Sequence, residues 1–420
     1  MSEKICVIGA GVSGLVSAYL LSQKYEVTLL EANDYLGGHT NTEEIEKPDG
    51  IHRVNTGFIV FNKENYTNFL KLMEKLDVDY QPAPMSFSVK CHKTGLEYCF
   101  SGLDGIFAQR KNFFSLKFHK MLREIFKFRK EFVSLLDDPA SAEKSVGEYL
   151  EEKGYSRMFI DKFLVPFGAA IWSADFDKMG QFPLQTFVQF FQNHGFLSRE
   201  AHLQWYTLKG GSASYVKEII KPFADNIHLN TKVTSVKRSR LGGVKVKAEN
   251  GFRGKYDRVV LAVHSDQALE MLNDPSDIEQ DVLGKMPYQP NSVVLHEDID
   301  VLPKIKKTWS AWNYSIPSED TEFCTVSYDM NILQSIESDT EFVVTLNQDK
   351  DINPDKVIKN FTYAHPVYTQ DSVTSQGRYD EINGTDRIYF AGAYWGYGFH
   401  EDGVRSALKA CAAIDPSLTI

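Results

Sequence analysis

At 420 residues the chain is long enough for two domains, and 46 Lys and Arg against 56 Asp and Glu leave a net charge of −10, which gives no reason to expect nucleic-acid binding. Apolar content of 43% and charged content of 24% are those of an ordinary globular protein, and no run of about 18 apolar residues is available to span a membrane. Five cysteines (Cys6, Cys91, Cys99, Cys324, Cys411) lie scattered without C-x-x-C spacing, so no metal site or disulfide framework is expected and a reducing, cytoplasmic setting is the default.

Lys4-Ile5-Cys6-Val7-Ile8 reads as a short buried strand. Gly9-Ala10-Gly11-Val12-Ser13-Gly14 follows, then an apolar helical run over 15–21 and a second apolar strand over 27–30 that ends in Glu31. This is G-x-G-x-x-G in the setting its physics requires: strand before, helix after, acid at the end of the next strand. Gly9 permits the tight turn, Gly11 lets backbone approach a pyrophosphate, and Gly14 lets helix and strand pack closely. Bare N–H groups and the positive dipole at the helix start, around Val12 and Ser13, attract phosphate. Glu31, with Ala32 after it, is placed to accept hydrogen bonds from an adenosine ribose, and its charge would repel the 2′-phosphate of NADP. NAD and FAD both remain open at this point.

The next residues are Asn33-Asp34-Tyr35-Leu36-Gly37-Gly38-His39-Thr40. A second glycine pair just past the ribose acid resembles the extended fingerprint of the FAD-dependent amine oxidase superfamily. There Gly37, Gly38, His39 and Thr40 would bring another turn of backbone against the pyrophosphate. Relatives mostly have Arg where this chain has His39, so phosphate pairing is expected to be weaker or pH-dependent. In flavoprotein oxidases the following strand returns toward the flavin, usually through an acidic-x-Gly step, and Asn55-Thr56-Gly57 within 51–62 takes that place, with Phe58 after it as a further cofactor candidate; an ordinary strand with a glycine bulge is the alternative. An amphipathic helix is expected over 65–76, with Phe69, Leu72, Met73 and Leu76 on one face.

Residues 86–205 read as a long, mostly helical insertion. Within 105–136, eight basic residues (Arg110, Lys111, Lys117, Lys120, Arg123, Lys127, Arg129, Lys130) interleave with seven phenylalanines (Phe107, Phe113, Phe114, Phe118, Phe126, Phe128, Phe132). Such a stretch on an acidic protein suits the plane of an anionic membrane surface. A helical pair with Phe packed inward and Lys and Arg in water is the preferred alternative. Further on, small residues at 168–170 lie among aromatics over 163–173 and 182–195; a packed helical core and the wall of an apolar pocket both fit that pattern.

At 205–212, Lys209-Gly210-Gly211 resembles the Gly-Gly turn that precedes a helix in the same superfamily, here over 215–223. Val233, in the strand pair that follows, sits where that superfamily holds adenine by backbone. A buried strand is expected over 258–263, and strand-like pieces over 292–296, 323–328 and 342–346 suggest the sheet of a substrate domain. Arg387 to Ala393 reads as a last strand, followed by an aromatic stretch to Gly403 and a helix from Val404. In FAD oxidases this strand runs under the isoalloxazine and the helix aims its N-terminus at the flavin N1–C2=O edge. Resemblance thus assigns Gly392, Ala393, Gly403 and Val404 to the cofactor. Ala393 replaces the usual acid, and with no Cys nearby the flavin is expected to be non-covalent.

The strings Gly-Gly-His-Thr-Asn-Thr (37–42), Thr-Gly-Phe-Ile-Val-Phe-Asn (56–62), Gly-Ala-Ala-Ile-Trp-Ser (168–173), His-Ser-Asp-Gln-Ala-Leu (264–269) and Gly-Phe-His-Glu-Asp-Gly (398–403) resemble, nearly end to end, one bacterial branch of the superfamily. It is described as predicted NAD/FAD-binding proteins with an amine-oxidase-like domain. The resemblance implies an α/β fold: a Rossmann-like FAD-binding domain (1–85, 206–270, 376–420) with an inserted α+β substrate domain (86–205, 271–375). Relatives are associated with modification of unsaturated or methylated acyl chains in membrane lipids.

The expected activity is therefore FAD-dependent oxidation or desaturation of a carbon in an apolar substrate, such as a lipid acyl chain, with peripheral contact to the inner face of a membrane through 105–136. No residue pattern points to an electron acceptor. His400 and Glu401 are the preferred candidate bases, with His194 and His264 behind them, while Trp395 and Tyr397 could line the flavin face. Two alternatives stay open: an amine oxidase with Trp395 and Tyr397 as an aromatic cage, and a non-redox isomerase or lipid-binding protein that keeps its flavin.

Overall fold

The computed structural model describes residues 3–136, 138, 141, 143–172, 176–196, 203–319 and 323–420. Its first sheet is built on Lys4–Ile8, buried after its first residue and paired in parallel with Glu26–Leu30 on one side and Arg258–Leu261 on the other. Ile227–His228 and Ile388–Phe390 extend the two edges to make five parallel strands. A parallel sheet has to be covered on both faces, and the alternation of side chains shows how. Ile5, Val7 and Val260 pack with the helices Val12–Leu21 and His400–Ile414, while Cys6, Ile8 and Val259 pack with the antiparallel meander Val233–Arg238, Val244–Ala248 and Arg253–Tyr256.

The second sheet has seven strands in the order 357–366, 288–296, 343–346, 326–329, 312–316, 87–91 and 96–99. Every pairing is antiparallel except that of Trp312–Ile316 with Phe87–Cys91. The helices Leu116–Leu135, Val165–Trp172 and Leu184–Asn193 share its core. The parallel sheet draws its strands from 1–85, 206–270 and 376–420, and the mixed sheet draws its strands from 86–205 and 271–375.

Three local expectations change. The insertion opens with the hairpin Phe87–Cys91 and Leu96–Cys99, not a helix. Both strands are buried throughout and lack the alternation that marks a half-exposed strand. Even Lys90 and Glu97 are buried: Lys90 Nζ donates to the carbonyls of Asp300, Val301 and Leu302, and Glu97 accepts from the N–H groups of Lys304 and Ile305. The basic segment forms one long helix, Leu116–Leu135, after a short 3₁₀ turn, not a helical pair. Phe107, Phe118, Phe128 and Phe132 point inward, whereas Phe113, Phe114 and Phe126 are exposed. Finally, the C-terminal helix starts at His400, one turn earlier than expected. Among the described residues no helix is long and apolar enough to cross a membrane.

Candidate functional site

A cavity of about 1460 Å³ runs between the parallel sheet and the mixed sheet. One end is made by the glycine turn. Gly9 has φ +96, and a Cβ there would stand 2.5 Å from the Ala262 carbonyl oxygen, so only glycine fits. A Cβ on Gly11 would meet nothing within 4 Å, because that position opens on the cavity. No side chain caps the helix that begins at Val12, so its first N–H groups are left for a ligand. The second glycine pair lies directly against the first: Gly37 N donates to Ala10 O at 2.9 Å, and a Cβ on Gly38 would be 3.2 Å from Gly11 Cα.

Glu31 is fixed in the cavity wall by backbone donors. Its Oε2 accepts from Ala10 N at 2.7 Å and its Oε1 from Asn33 N at 2.9 Å. A carboxylate offers about four lone-pair directions, so acceptor capacity remains on the cavity side. Ala32 and Val233 line the same end, with Lys232 and Glu249 paired at 2.9 Å on its rim. Uncapped helix N–H groups, two stacked glycine turns and a fixed acid fit the pyrophosphate and ribose of FAD. Around the glycines no cationic side chain lines the wall among the described residues; Lys232 and Arg129 are the only cations in the lining, and neither stands beside the glycine turns. Backbone dipoles, with His39, would have to meet the diphosphate.

The middle of the cavity carries four imidazoles. His39 lies 6.2 Å from His264, 5.6 Å from His365 and 4.8 Å from Tyr363, ring centre to ring centre. His400 stacks on Phe58 at 3.5 Å and bonds Thr40 Oγ1 through Nε2 at 2.8 Å. Burial lowers all four: His39 and His264 to about 4, His365 and His400 to about 3, with the neighbouring imidazoles adding to the effect. They are neutral at pH 7. Thr56, Gly57, Phe58, Gly392 and Ala393 line this middle part, and Tyr363 bonds Thr56 at 2.8 Å. Gly57 is required here, since a Cβ would come 2.2 Å from His39 O.

Beyond lies an aromatic channel. Phe399 stacks on Phe190 at 5.4 Å, and contact continues through Phe191 and Phe167 to Phe163 and Phe100 at the surface. Tyr397 and His194 belong to its wall; His194 stacks on Phe190 at 3.9 Å, and burial lowers it to about 4. Of the small residues at 168–170, Ala170 faces the channel, but Gly168 packs on Met179 and Phe187 in the core.

Several expected site residues stand elsewhere. Glu401 turns away from the cavity: its carboxylate accepts from the backbone N–H groups of Asn68 and Phe69 at the start of helix Thr67–Lys75. Trp395 packs edge-on against Tyr379 at 4.7 Å, outside the lining, so it forms no cage with Tyr397. Because the last helix starts at His400, Gly403 and Val404 lie inside it. A Cβ on Gly403 would meet Val12 Cγ1 at 2.6 Å, and Val404 is fully buried, so both pack helix on helix. Gly14 lets its helix pack on the strand-end turn at Gly9, the role its spacing predicts, and Thr40 acts at one remove by holding His400 and Tyr215. Gly9, Gly11, Val12, Ser13, Glu31, Ala32, Gly37, Gly38, His39, Thr56, Gly57, Phe58, Val233, Gly392, Ala393, Tyr397 and His400 do reach the cavity.

Sequence reasoning missed Tyr363, His365 and Arg129. The first two sit two apart on strand Val357–Pro366 and so share a face; the aromatic–x–His spacing was a usable signal. Arg129 stands in the sequence among the basic residues interleaved with phenylalanine over 105–136, and no spacing there sets it apart as a cavity residue.

The sequence model of the family described as flavin-containing amine oxidoreductase matches residues 12–298, well over half of the chain. No curated protein matches. Among solved structures, cyclohexylamine oxidase from Brevibacterium oxydans IH-35A is 16% identical over 100% of both chains with a TM-score of 0.67. Wild-type putrescine oxidase bound to putrescine is 15% identical over 99% of each chain at 0.68. A CLA-producing fatty acid isomerase from P. acnes is 15% identical over 99% of each chain at 0.69. At such identities the likeness is one of fold. Taken with the family match and the cradle described above, it leaves one assignment: the chain belongs to the flavin-containing amine oxidoreductase family and is an FAD-dependent oxidoreductase.

Proposed function

We propose that the enzyme oxidises or desaturates a carbon in an apolar substrate, such as a fatty acyl chain of a membrane lipid. The observation that carries this reading is the channel wall. Beyond the middle of the cavity it is mainly aromatic and aliphatic, with Arg129 as its one cation among the described residues, while the lining acids among those residues are Glu31, Glu249 and Glu270, all at the adenosine end. Bound FAD supplies a hydride acceptor. The chain's own residues supply a dry slot and neutral imidazoles. An imidazole with a depressed pKa is too weak a base to strip a proton from an unactivated carbon, but it can take the proton from the carbon next to one that is giving up hydride, so that the C–H electron pair left behind forms the double bond. An amine substrate loses support because Trp395 does not face Tyr397 across the channel. Solved proteins of this fold are named for amines and for a fatty acid alike, so the wall, not the fold, favours the acyl reading.

The exposed apolar group around the channel mouth supports peripheral membrane contact. Leu103 is 76% exposed, Phe114 87% and Leu116 83%, with Lys111 and Lys117 beside them. An acidic protein that keeps basic and aromatic side chains together on one face suits an anionic lipid surface. All five cysteines are buried and none forms a disulfide among the described residues, in keeping with a cytoplasmic setting.

The test is an anaerobic absorbance spectrum of the holoenzyme before and after addition of phospholipid vesicles, free fatty acids or alkylamines. Bleaching of the flavin band near ~450 nm by acyl lipid is expected. Bleaching by amines alone would overturn the acyl reading.

A further inference from the structure

Arg129 lies in the wall of the aromatic channel and has no ionic partner among the described residues. Leu122, Phe126 and Arg129 follow one another along one edge of helix Leu116–Leu135 and all reach the cavity. Phe126 is 61% exposed while Arg129 is half-buried, so this edge is where the channel meets water. Arg129 Nε donates to Phe196 O at 2.8 Å, and the ring of Phe196 stands 5.5 Å from Phe191 and 4.8 Å from Phe167. Its guanidinium is thus tethered by one nitrogen beside the channel's rings. Other cations of the helix differ from it: Lys120 and Lys127 pair with Glu124 and Glu131, and Lys117, Arg123 and Lys130 are exposed to water. A planar cation left unpaired at an apolar wall is poorly solvated and selective for a bidentate oxyanion.

We propose that Arg129 forms an anion subsite that takes the head of the substrate, the carboxylate of a free fatty acid, and so directs the acyl chain inward along Phe196, Phe191 and Phe190 toward the flavin-binding middle of the cavity. This rests on the acyl reading of the channel and adds a polarity to it: head outward, chain inward. The same guanidinium chemistry would accept a lipid phosphate, and the choice of ligand separates the two. No bond is made or broken at this subsite.

The experiment is equilibrium binding to the oxidised holoenzyme, followed by perturbation of the flavin spectrum, with oleate, methyl oleate and phosphatidylglycerol vesicles as probes. Wild-type protein is expected to bind oleate at least tenfold more tightly than methyl oleate. Arg129→Gln should weaken oleate by about 10- to 100-fold, the range for a charge-assisted bidentate contact, and leave methyl oleate unchanged, while Arg129→Lys keeps part of the preference. Equal wild-type affinity for acid and ester overturns the subsite without any variant. So does equal weakening of both ligands in Arg129→Gln, which would mark a merely structural residue. Arg129-dependent binding of vesicles but not of oleate overturns the carboxylate assignment in favour of a phosphate head. Arg129-dependent oleate binding without flavin reduction would uphold the subsite and sink the oxidation reading, so the two fail separately.

Discussion

Replacing Glu401 with alanine should cost stability and spare flavin binding. Helix Thr67–Lys75 has no cap from its own N-terminal neighbour Tyr66. Its first donors are served across the fold instead: Glu401 Oε2 accepts from Phe69 N at 2.9 Å and Asn68 N at 3.1 Å, and Oε1 accepts from Asn68 Nδ2 at 2.6 Å. Glu401 is 6% exposed and Phe69 is fully buried, so water cannot replace the carboxylate at the Phe69 N–H. A buried orphan donor costs about 1–3 kcal/mol and loss of a helix cap about 1 kcal/mol. Burial also raises the Glu401 pKa, which offsets part of what the charge contributes. A net loss of roughly 2–4 kcal/mol follows for Glu401→Ala, and about half of that for Glu401→Gln, which keeps one acceptor. Urea unfolding at pH 7 reads the loss, and titration of apoprotein with FAD reads the cofactor affinity. An alanine variant with wild-type stability, full FAD occupancy and no turnover would refute this reasoning and return Glu401 to the chemistry.

Glu31→Ala should lower FAD affinity by about 10- to 100-fold, the worth of hydrogen bonds to a charged group, measured by calorimetry on apoprotein; unchanged affinity would mean that the carboxylate serves only Ala10 and Asn33. The apoprotein should also be acid-labile. Six imidazoles, the four of the cavity middle together with His194 and His296, have folded pKa values near 3 to 4, below the ordinary value of 6.5, so the unfolded chain binds more protons between the two. Their stabilisation is complete above about pH 6.5 and fades as pH falls toward 4, at up to about 2 kcal/mol each by pH 5. Denaturation midpoints that stay level from pH 7.5 to 5 would contradict this. Serine at Phe113, Phe114 and Leu116 together should weaken sedimentation with anionic vesicles at least tenfold and leave FAD content unchanged; undiminished co-sedimentation would place the membrane contact elsewhere.

What the sequence made legible was whatever depends on a few consecutive residues. The glycine turns, the ribose acid and the strand–helix order around them follow from local sterics, because the close approaches at Gly9 and Gly57 admit no Cβ. Errors arose where one residue of offset changes the partner. His400 and Glu401 are neighbours on a helix, about 100° apart around its axis, so when one faces the cavity the other must face helix Thr67–Lys75. Placing the helix start at Val404 hid that geometry. A usable signal was present in Asp402, whose Oδ2 accepts from Tyr397 N and Phe399 N and thereby marks the helix entrance.

The substrate end resisted for a different reason. Its wall combines Phe87, Phe167, Phe190, Tyr288, Trp312 and Tyr368 from separate strands, helices and loops, and no single period in the chain brings them together. Composition could say that 105–136 was basic and rich in phenylalanine. It could not say that Phe118 and Phe132 would pack in the core, while the next face of the same helix carried Leu122, Phe126 and Arg129 to the cavity, with Phe128 shared between the two. The inward packing of phenylalanine expected of that segment therefore holds on one stripe of a single helix. One helix supplies packing on one stripe and a channel edge on the next, and the unpaired cation on that edge is where the ends of candidate substrates differ.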